Sequence, residues 1–372
     1  MDAAHGGPRR TVGVEEELLL VDAEDAQPRA VAAMILAGHD EPSGVEGAVG
    51  HELQLQQVEI GTPPTVSMTE LRDQITAWRR RADELAAHEG ARVAALATCP
   101  LPVVPRTTVK PRYLAMIEHL GVTTAEQLTC GCHVHVSVES ADEGAAVLDR
   151  IRGWLPVLVA LSANSPFWQG ADSGYASFRT QAWHRFPTAG PTPLLGSGAA
   201  YRAHVAALLA TGVPLDEGMI YFDARLSRTY PTVELRVADV CLRAQDTVLV
   251  AALARALVDT AAVDWQAGRS APDVSSDLIR MATWQASRHG LNGELLDVST
   301  GAPRLAKEVV TALVEHVADA LSANGDADLV ADRIEALARE GTGADVQRRE
   351  AQAQSDLTGM VLAMAELTVS GS

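Results

Sequence analysis

Residues 11 to 22, TVGVEEELLLVD, restrict the fold more than any other stretch of the chain. Val12, Val14, Leu18 and Leu20 read as the apolar face of a strand entering a core, yet Glu15, Glu16 and Glu17 interrupt the run. Adjacent carboxylates on a buried strand repel one another and cost several kcal/mol each unless something neutralises them. Side chains alternate along a strand, so Glu15 and Glu17 share one face while Glu16 falls with the valines and leucines. A solvated sheet face or a bound cation would accommodate Glu15 and Glu17. Glu16 calls for a bulge or a local arginine.

Three further segments repeat the theme of charge on a strand. Residues 51–61, HELQLQQVEIG, read as a strand carrying Glu52 and Glu59. Their odd separation sends them to opposite faces, so both reach one site only if the strand bends, bulges or ends between them. In CGCHVHVSV, 130–138, His133, His135 and Ser137 share one face, and Cys130, Cys132, Val134, Val136 and Val138 share the other. A C-x-C-H-x-H string suggests zinc or copper, but here the thiols point away from the imidazoles and read as core residues. A His-x-His pair opposite carboxylates suits a divalent cation. In PTVELRVADV, 231–240, Val233, Leu235 and Val237 face the core while Glu234 and Arg236 face the other way, with Arg225 just upstream in YFDARLSRTYP. Beside the other acidic strands, Glu234 and Arg236 read as a metal ligand next to a phosphate-binding guanidinium.

The loop at 163–193 holds three of the four Phe and two of the six Trp. Loops of this length without regular structure are usually functional. Its Arg179 and Arg185, set among Ser, Thr, Tyr and Gly donors, suit an anion. Elsewhere the spacing predicts helices near 28–37, from Ser67 to about Ala95 (with a Ser67/Glu70 capping box), and at about 142–162. Helix-like segments flank the strand at 231–240. From about 272 the chain reads as mostly helical, with breaks near 290–302 and 324–328. Strands and helices do not strictly alternate, which predicts an α+β fold with a largely antiparallel sheet: one face toward helices, the polar face toward a cleft. The expected organisation is a disordered tail at 1–10, a catalytic sheet-and-helix core at 11–265 and a helical part of the same domain at 266–372, disordered from 368.

Composition excludes several classes of function. A net charge of −18 over 372 residues argues against nucleic-acid or anionic-membrane surfaces, which need a basic footprint. The only lysines, Lys110 and Lys307, lie in no Gly-rich loop, so a P-loop is excluded, and GSGAA at 196–200 reads as a turn. There is no apolar run of 18 residues and no signal-peptide core, which predicts a cytoplasmic protein. Four cysteines in so long a chain do not make a disulfide framework. Cys99 and Cys241 are expected to be dispensable for catalysis.

Taken together and in order, GVEEE, GCHVHV, ANSPFWQG…SGYASFRTQAWHRFPTAGP and PTVELRVADVC closely resemble the carboxylate-amine ligases of the glutamate–cysteine ligase 2 type, from about residue 11 through 360. The resemblance implies a glutamine synthetase-like catalytic fold, in which a curved, largely antiparallel sheet cradles ATP and divalent cations on its polar face. It implies a Mg²⁺ or Mn²⁺ role for Glu15, Glu17, Glu52, Glu59, His133 and Glu234. His135 would lie near the nucleotide phosphates, Arg236 would bind phosphate in the transition state, and Arg225 and Arg179 would hold the acyl substrate or ATP. One departure is Ser173 in Ser173-Gly174-Tyr175, where the family usually has Thr. The implied reaction joins the γ-carboxylate of L-glutamate to an amine such as L-cysteine through an acyl phosphate, releasing ADP and phosphate, in a homodimer. The rival reading is a metal-dependent hydrolase built on the same carboxylates and histidines, which would show no ATP dependence.

Overall fold

The computed structural model describes residues 9–37 and 49–370. Its centre is a seven-stranded sheet in which neighbouring strands pair antiparallel. The strands are β1 (Val12–Asp22), β2 (Val49–His51), β3 (Gln57–Gly61), β4 (Ala91–Ala94), β5 (Gly131–Ser137), then, after a small hairpin of β6 (Phe167–Trp168) and β7 (Ala171–Asp172), β8 (Ala224–Leu226) and β9 (Thr232–Asp239). The order is β2-β3-β1-β5-β9-β8, with β4 pairing the far end of β1. A second hairpin, β10 (Glu294–Asp297) and β11 (Ala302–Leu305), lies apart. This is the expected α+β architecture.

Alternation explains the layering. Val12 and Val14 of β1, Cys132, Val134 and Val136 of β5, and Val233, Leu235 and Val237 of β9 are buried in one apolar cluster. The helices Met68–Ala87, Ala141–Ile151, Leu155–Ser162 and Ala244–Gln266 supply much of the rest of that cluster, and the C-terminal helices close it. The last of these is apolar nearly all round because other helices enclose it: it touches Met68–Ala87, Ala141–Ile151 and the C-terminal helices as well as β1 and β5. Cys130 and Cys99 belong to a second cluster with Leu18–Val21, β3, β4 and the helix Leu357–Ser370. All four cysteines are buried and unpaired, and for Cys130 and Cys132 this is the core placement that strand parity predicts.

Glu16 is met by an arginine. Arg79, on the helix Met68–Ala87, donates from Nε to Glu16 Oε2 at 2.8 Å and from Nη2 to Glu16 Oε1 at 2.7 Å. Its side chain is 0% exposed and that of Glu16 is 1%. Two more guanidinium hydrogens go to the carbonyls of Cys241 and Leu242, and Thr247 Oγ1 donates to Glu16 Oε1 at 2.6 Å. The pair is therefore fully hydrogen-bonded, the condition for a buried ion pair to be tolerated.

Several boundaries differ from expectation. The strand expected at 51–61 is two strands, β2 and β3, with a loop between. The helix expected to reach Ala95 ends at Ala87, because Gly90, at φ +65°, turns the chain back into β4. Ser67 does cap it, accepting from Glu70 N. The helix expected at 142–162 breaks after Ile151 and restarts at Leu155, where Pro156 fits the first turn. The helix near 28–37 is a single turn, Ala32–Ile35. GSGAA is a helix start, with Ser197 Oγ accepting from Ala200 N. The break expected near 290–302 contains the β10–β11 hairpin, and the disorder expected from 368 is instead helix through Ser370. Of the tail expected at 1–10, residues 1–8 lie outside the described residues. Arg10 is anchored, its Nη1 2.6 Å from Glu143 and its Nε 3.0 Å from Asp259.

Candidate active site

The face of the sheet opposite the core carries charged residues in rows that cross the strands. His135 on β5 pairs with Glu234 on β9, which pairs with Arg225 on β8. One step along, Glu15 on β1 pairs with His133, and Arg236 follows across a β-bulge between Cys132 and Val134. One step further, Glu17 pairs with Glu59 on β3. Antiparallel register alone therefore brings seven of the ten sequence-predicted site residues together, with Arg236 placed just across the bulge. Glu52 joins because β2 ends at His51: it stands in the loop between β2 and β3, close enough to Glu17 and Glu15 for their charges to act on it.

The carboxylate and imidazole atoms converge. Ligand atoms of Glu15, His133 and Glu234 all lie within 4.8 Å of one another. His133 Nδ1 is 3.4 Å from Glu15 Oε2, and His135 Nε2 is 3.5 Å from Glu15 Oε1. Arg225 donates to Glu234 through Nε at 2.7 Å and Nη2 at 3.1 Å, and Arg236 Nη1 donates to the same carboxylate. Glu17 Oε2 accepts from Gly131 N at 2.6 Å.

The electrostatics divide the site in two. Burial works to protonate Glu234, but the Arg236 and Arg225 guanidiniums outweigh it and hold the group well below the usual carboxylate range. Glu15 is likewise held low, its burial offset by hydrogen bonds to and the charges of His133 and His135. On the other side, burial and the Glu17 charge push Glu52 up to about 8, and burial with Glu15, Glu52 and Glu17 pushes Glu59 well above its ordinary value. His133 is lowered by burial and Arg236, whereas the Glu15 carboxylate overcomes burial and raises His135. Glu52 and Glu59 disfavour their own ionisation, Glu15 and Glu234 are held ionised, and His133 Nε2 is buried beside them without a hydrogen-bond partner; together these groups have the donor set of a hard divalent cation site.

Arg179 enters from the helix Phe178–Trp183, which interrupts the loop expected at 163–193. Its guanidinium lies over Gly131, where a Cβ would stand 2.2 Å from Nη2, so only glycine leaves room for it. The loop is fastened by Asp239 at the end of β9, whose carboxylate accepts from Asn164 N, Ser165 Oγ and Ser177 Oγ. Arg185, expected at an anion, instead donates to Glu126 at 3.1 Å on the surface. The Trp183 ring lies 5.6 Å from the Arg179 guanidinium carbon and 5.8 Å from that of Arg236, and packs on Phe186 and Tyr221. Tyr113 stands near Glu52, whose charge adds to burial in raising its phenol. Sequence reasoning missed Tyr113, Trp183 and Tyr221. Tyr113 and Tyr221 lie outside every charged strand motif, and Trp183 reads only as one aromatic among several in its loop. Beside Glu234 and Arg225 opens a cavity of about 550 Å³, walled by Tyr201, Val205, Ile220, Leu226, Arg202 and Arg228.

The pattern of glutamate–cysteine ligase family 2 matches residues 11–363. A Streptomyces avermitilis protein provisionally named glutamate–cysteine ligase 2-1 is 54% identical over 91% of this chain and 94% of its own length. A Streptomyces coelicolor protein provisionally named glutamate–cysteine ligase 2 is 51% identical over 96% and 99%. In fold, the chain is similar to the crystal structure of glutamate–cysteine ligase from Francisella tularensis in complex with AMP, with a TM-score of 0.67 at 13% identity over 99% of this chain and 90% of that one. The chain belongs to glutamate–cysteine ligase family 2 and is an ATP-dependent carboxylate-amine ligase.

Proposed function

We propose that this ligase joins the γ-carboxylate of L-glutamate to a primary amine such as L-cysteine through an acyl phosphate, releasing ADP and phosphate. The observation that carries the proposal is the crossing of acidic and histidine rows by Arg236 and Arg225 at Glu234, a site that pairs a cation cluster with anion-binding guanidiniums. The apolar wall of the 550 Å³ cavity takes the nucleotide base, and its Glu234 end directs the phosphates toward His135 and Arg225. Glu15, His133 and Glu234 would hold one Mg²⁺ or Mn²⁺, and Glu17, Glu52 and Glu59 a second. The ions supply neutralising charge against the phosphates. Arg236 and Arg179, buried and rigid over β9 and Gly131, orient the glutamate carboxylate for attack on the γ-phosphorus and stabilise the charge that develops when the amine attacks the acyl carbon. The working assembly in this proposal is a homodimer.

The test is purified protein with ATP, Mg²⁺, L-glutamate and a panel of amines, with ADP and amide product measured together. The expected result is stoichiometric ADP and γ-glutamyl amide with at least one amine. Neither ADP nor amide with any amine would overturn the proposal and favour the metal-dependent hydrolase, which has no use for ATP.

Two further results are expected. Gly131→Ala displaces the Arg179 guanidinium and lowers turnover about 10²-fold, with the circular dichroism spectrum unchanged. Full turnover in that variant would remove Arg179 from the site. Metal-free protein should also lose stability as pH rises. The folded Glu52 pKa is raised to about 8. Its contribution is therefore complete below the unfolded value of ~4.3 and is lost as pH climbs from there to about 8. Cation binding requires the ionised carboxylates, so the gain in Tm on adding Mg²⁺ should be larger at pH 8 than at pH 6. An equal gain at both would count against these carboxylates as ligands.

A further inference from the structure

The amine half of the reaction needs something the rows above do not supply. An amine nucleophile reaches the enzyme as an ammonium ion and has no lone pair until a base removes a proton. Arg236, Arg225 and Arg179 repel such a cation, and Glu15, Glu17, Glu52, Glu59 and Glu234 are committed to the cation cluster or to arginine.

One carboxylate on the same face is committed to neither. Asp223 precedes β8, two residues before Arg225, and therefore points to the same side of the sheet. Arg236 N donates to Asp223 O at 2.9 Å, which sets the two residues side by side across β8 and β9. Asp223 is only 5% exposed, and its Oδ2 has no hydrogen-bond partner; Nε of the neighbouring Arg236 has none either. A buried, unsatisfied carboxylate oxygen costs free energy that a ligand donor recovers. On its other side, His184 Nε2 stands 3.6 Å from Asp223 Oδ1. His184 follows Trp183, whose ring lies by the guanidiniums of Arg236 and Arg179, and its side chain is 19% exposed, so it connects the buried carboxylate with solvent.

We propose that Asp223 binds the incoming primary ammonium group and takes its proton, and that His184 positions this carboxylate and passes the proton to water. The inference rests on the ligase reading above. The ammonium N–H donates to Asp223 Oδ2 and gives up its proton. The freed lone pair forms the C–N bond at the acyl carbon, the C–O bond to phosphate breaks, and phosphate leaves with that electron pair. Asp223, having passed the first proton on through His184, takes the second nitrogen proton as the tetrahedral intermediate collapses. That intermediate presents an N–H and an oxyanion together, matching the unpartnered Asp223 Oδ2 and Arg236 Nε.

Hydroxylamine separates this role from a structural one, because it is already neutral at physiological pH and yields a hydroxamate from the same acyl phosphate. Wild type, Asp223→Asn and His184→Gln would each be given ATP, Mg²⁺ and L-glutamate with either hydroxylamine or the alkyl amine that wild type uses. Asp223→Asn is expected to lose about 10²-fold or more in amide formation while keeping hydroxamate formation and its ADP within a few-fold. His184→Gln, at a part-exposed position that tolerates change, is expected to show the same split at smaller size. Equal losses with both nucleophiles in His184→Gln, or no loss with either in both variants, would overturn the proposal. If wild type makes neither product, the ligase reading itself fails and takes this one with it.

Discussion

Glu234→Gln lowers ATP-dependent ADP release by about 10²–10³-fold, the effect of deleting one preorganised electrostatic partner. The amide has the shape of the carboxylate but not its charge, and Glu234 serves three groups at once. It accepts from Arg225 through both oxygens, accepts from Arg236, and lies within 4.8 Å of Glu15 and His133 ligand atoms. A glutamine Oε1 can still accept from Arg225 Nη2 and Arg236 Nη1, but the NH₂ that replaces the other oxygen faces Arg225 Nε, donor against donor. One arginine must swing away, and the proposed cation loses a charged ligand. The Mg²⁺-dependent gain in Tm should shrink in parallel with turnover. An E234Q protein that releases ADP at the wild-type rate would show that this carboxylate is a mere partner of Arg225.

Arg79→Met destabilises the fold by about 3–5 kcal/mol, because it leaves Glu16 charged, buried and held by Thr247 alone. Urea denaturation measures the loss. Adding Glu16→Gln restores part of it, since the uncompensated charge is gone, but not all. Arg79 also satisfies the carbonyls of Cys241 and Leu242, and these stay unpaired in the double variant. A single variant as stable as wild type would mean that Glu16 takes up a proton without penalty.

Those two residues also show where the sequence is legible. Strand parity separated His133 and His135 from Cys130 and Cys132 and put Glu234 beside Arg236, because alternation is a property of the backbone and needs no neighbour. It placed Glu16 on the apolar side and called for a bulge or an arginine, but could not name Arg79, which lies 63 residues away on a helix. Glu52 and Glu59 looked incompatible until the loop after His51 removed Glu52 from the strand, and nothing local marks that ending. Residues 91–94 were absorbed into the preceding helix because their apolar spacing continues it; only Gly90 signals the reversal. His184 and Asp223 meet across 39 positions, in a contact no periodicity announces.

The carboxylate of Asp239 has a consequence for how such an enzyme changes its diet. The same strand end that carries Glu234 and Arg236 also ties down the 163–193 segment at Asn164, Ser165 and Ser177. Ser165 Oγ in turn accepts from Arg179 N. Lengthening, shortening or grafting that segment would drag Arg179 with it. New acceptors are therefore reached more cheaply by exchanging single aromatic side chains at Tyr113 and Tyr221, which lie outside that segment.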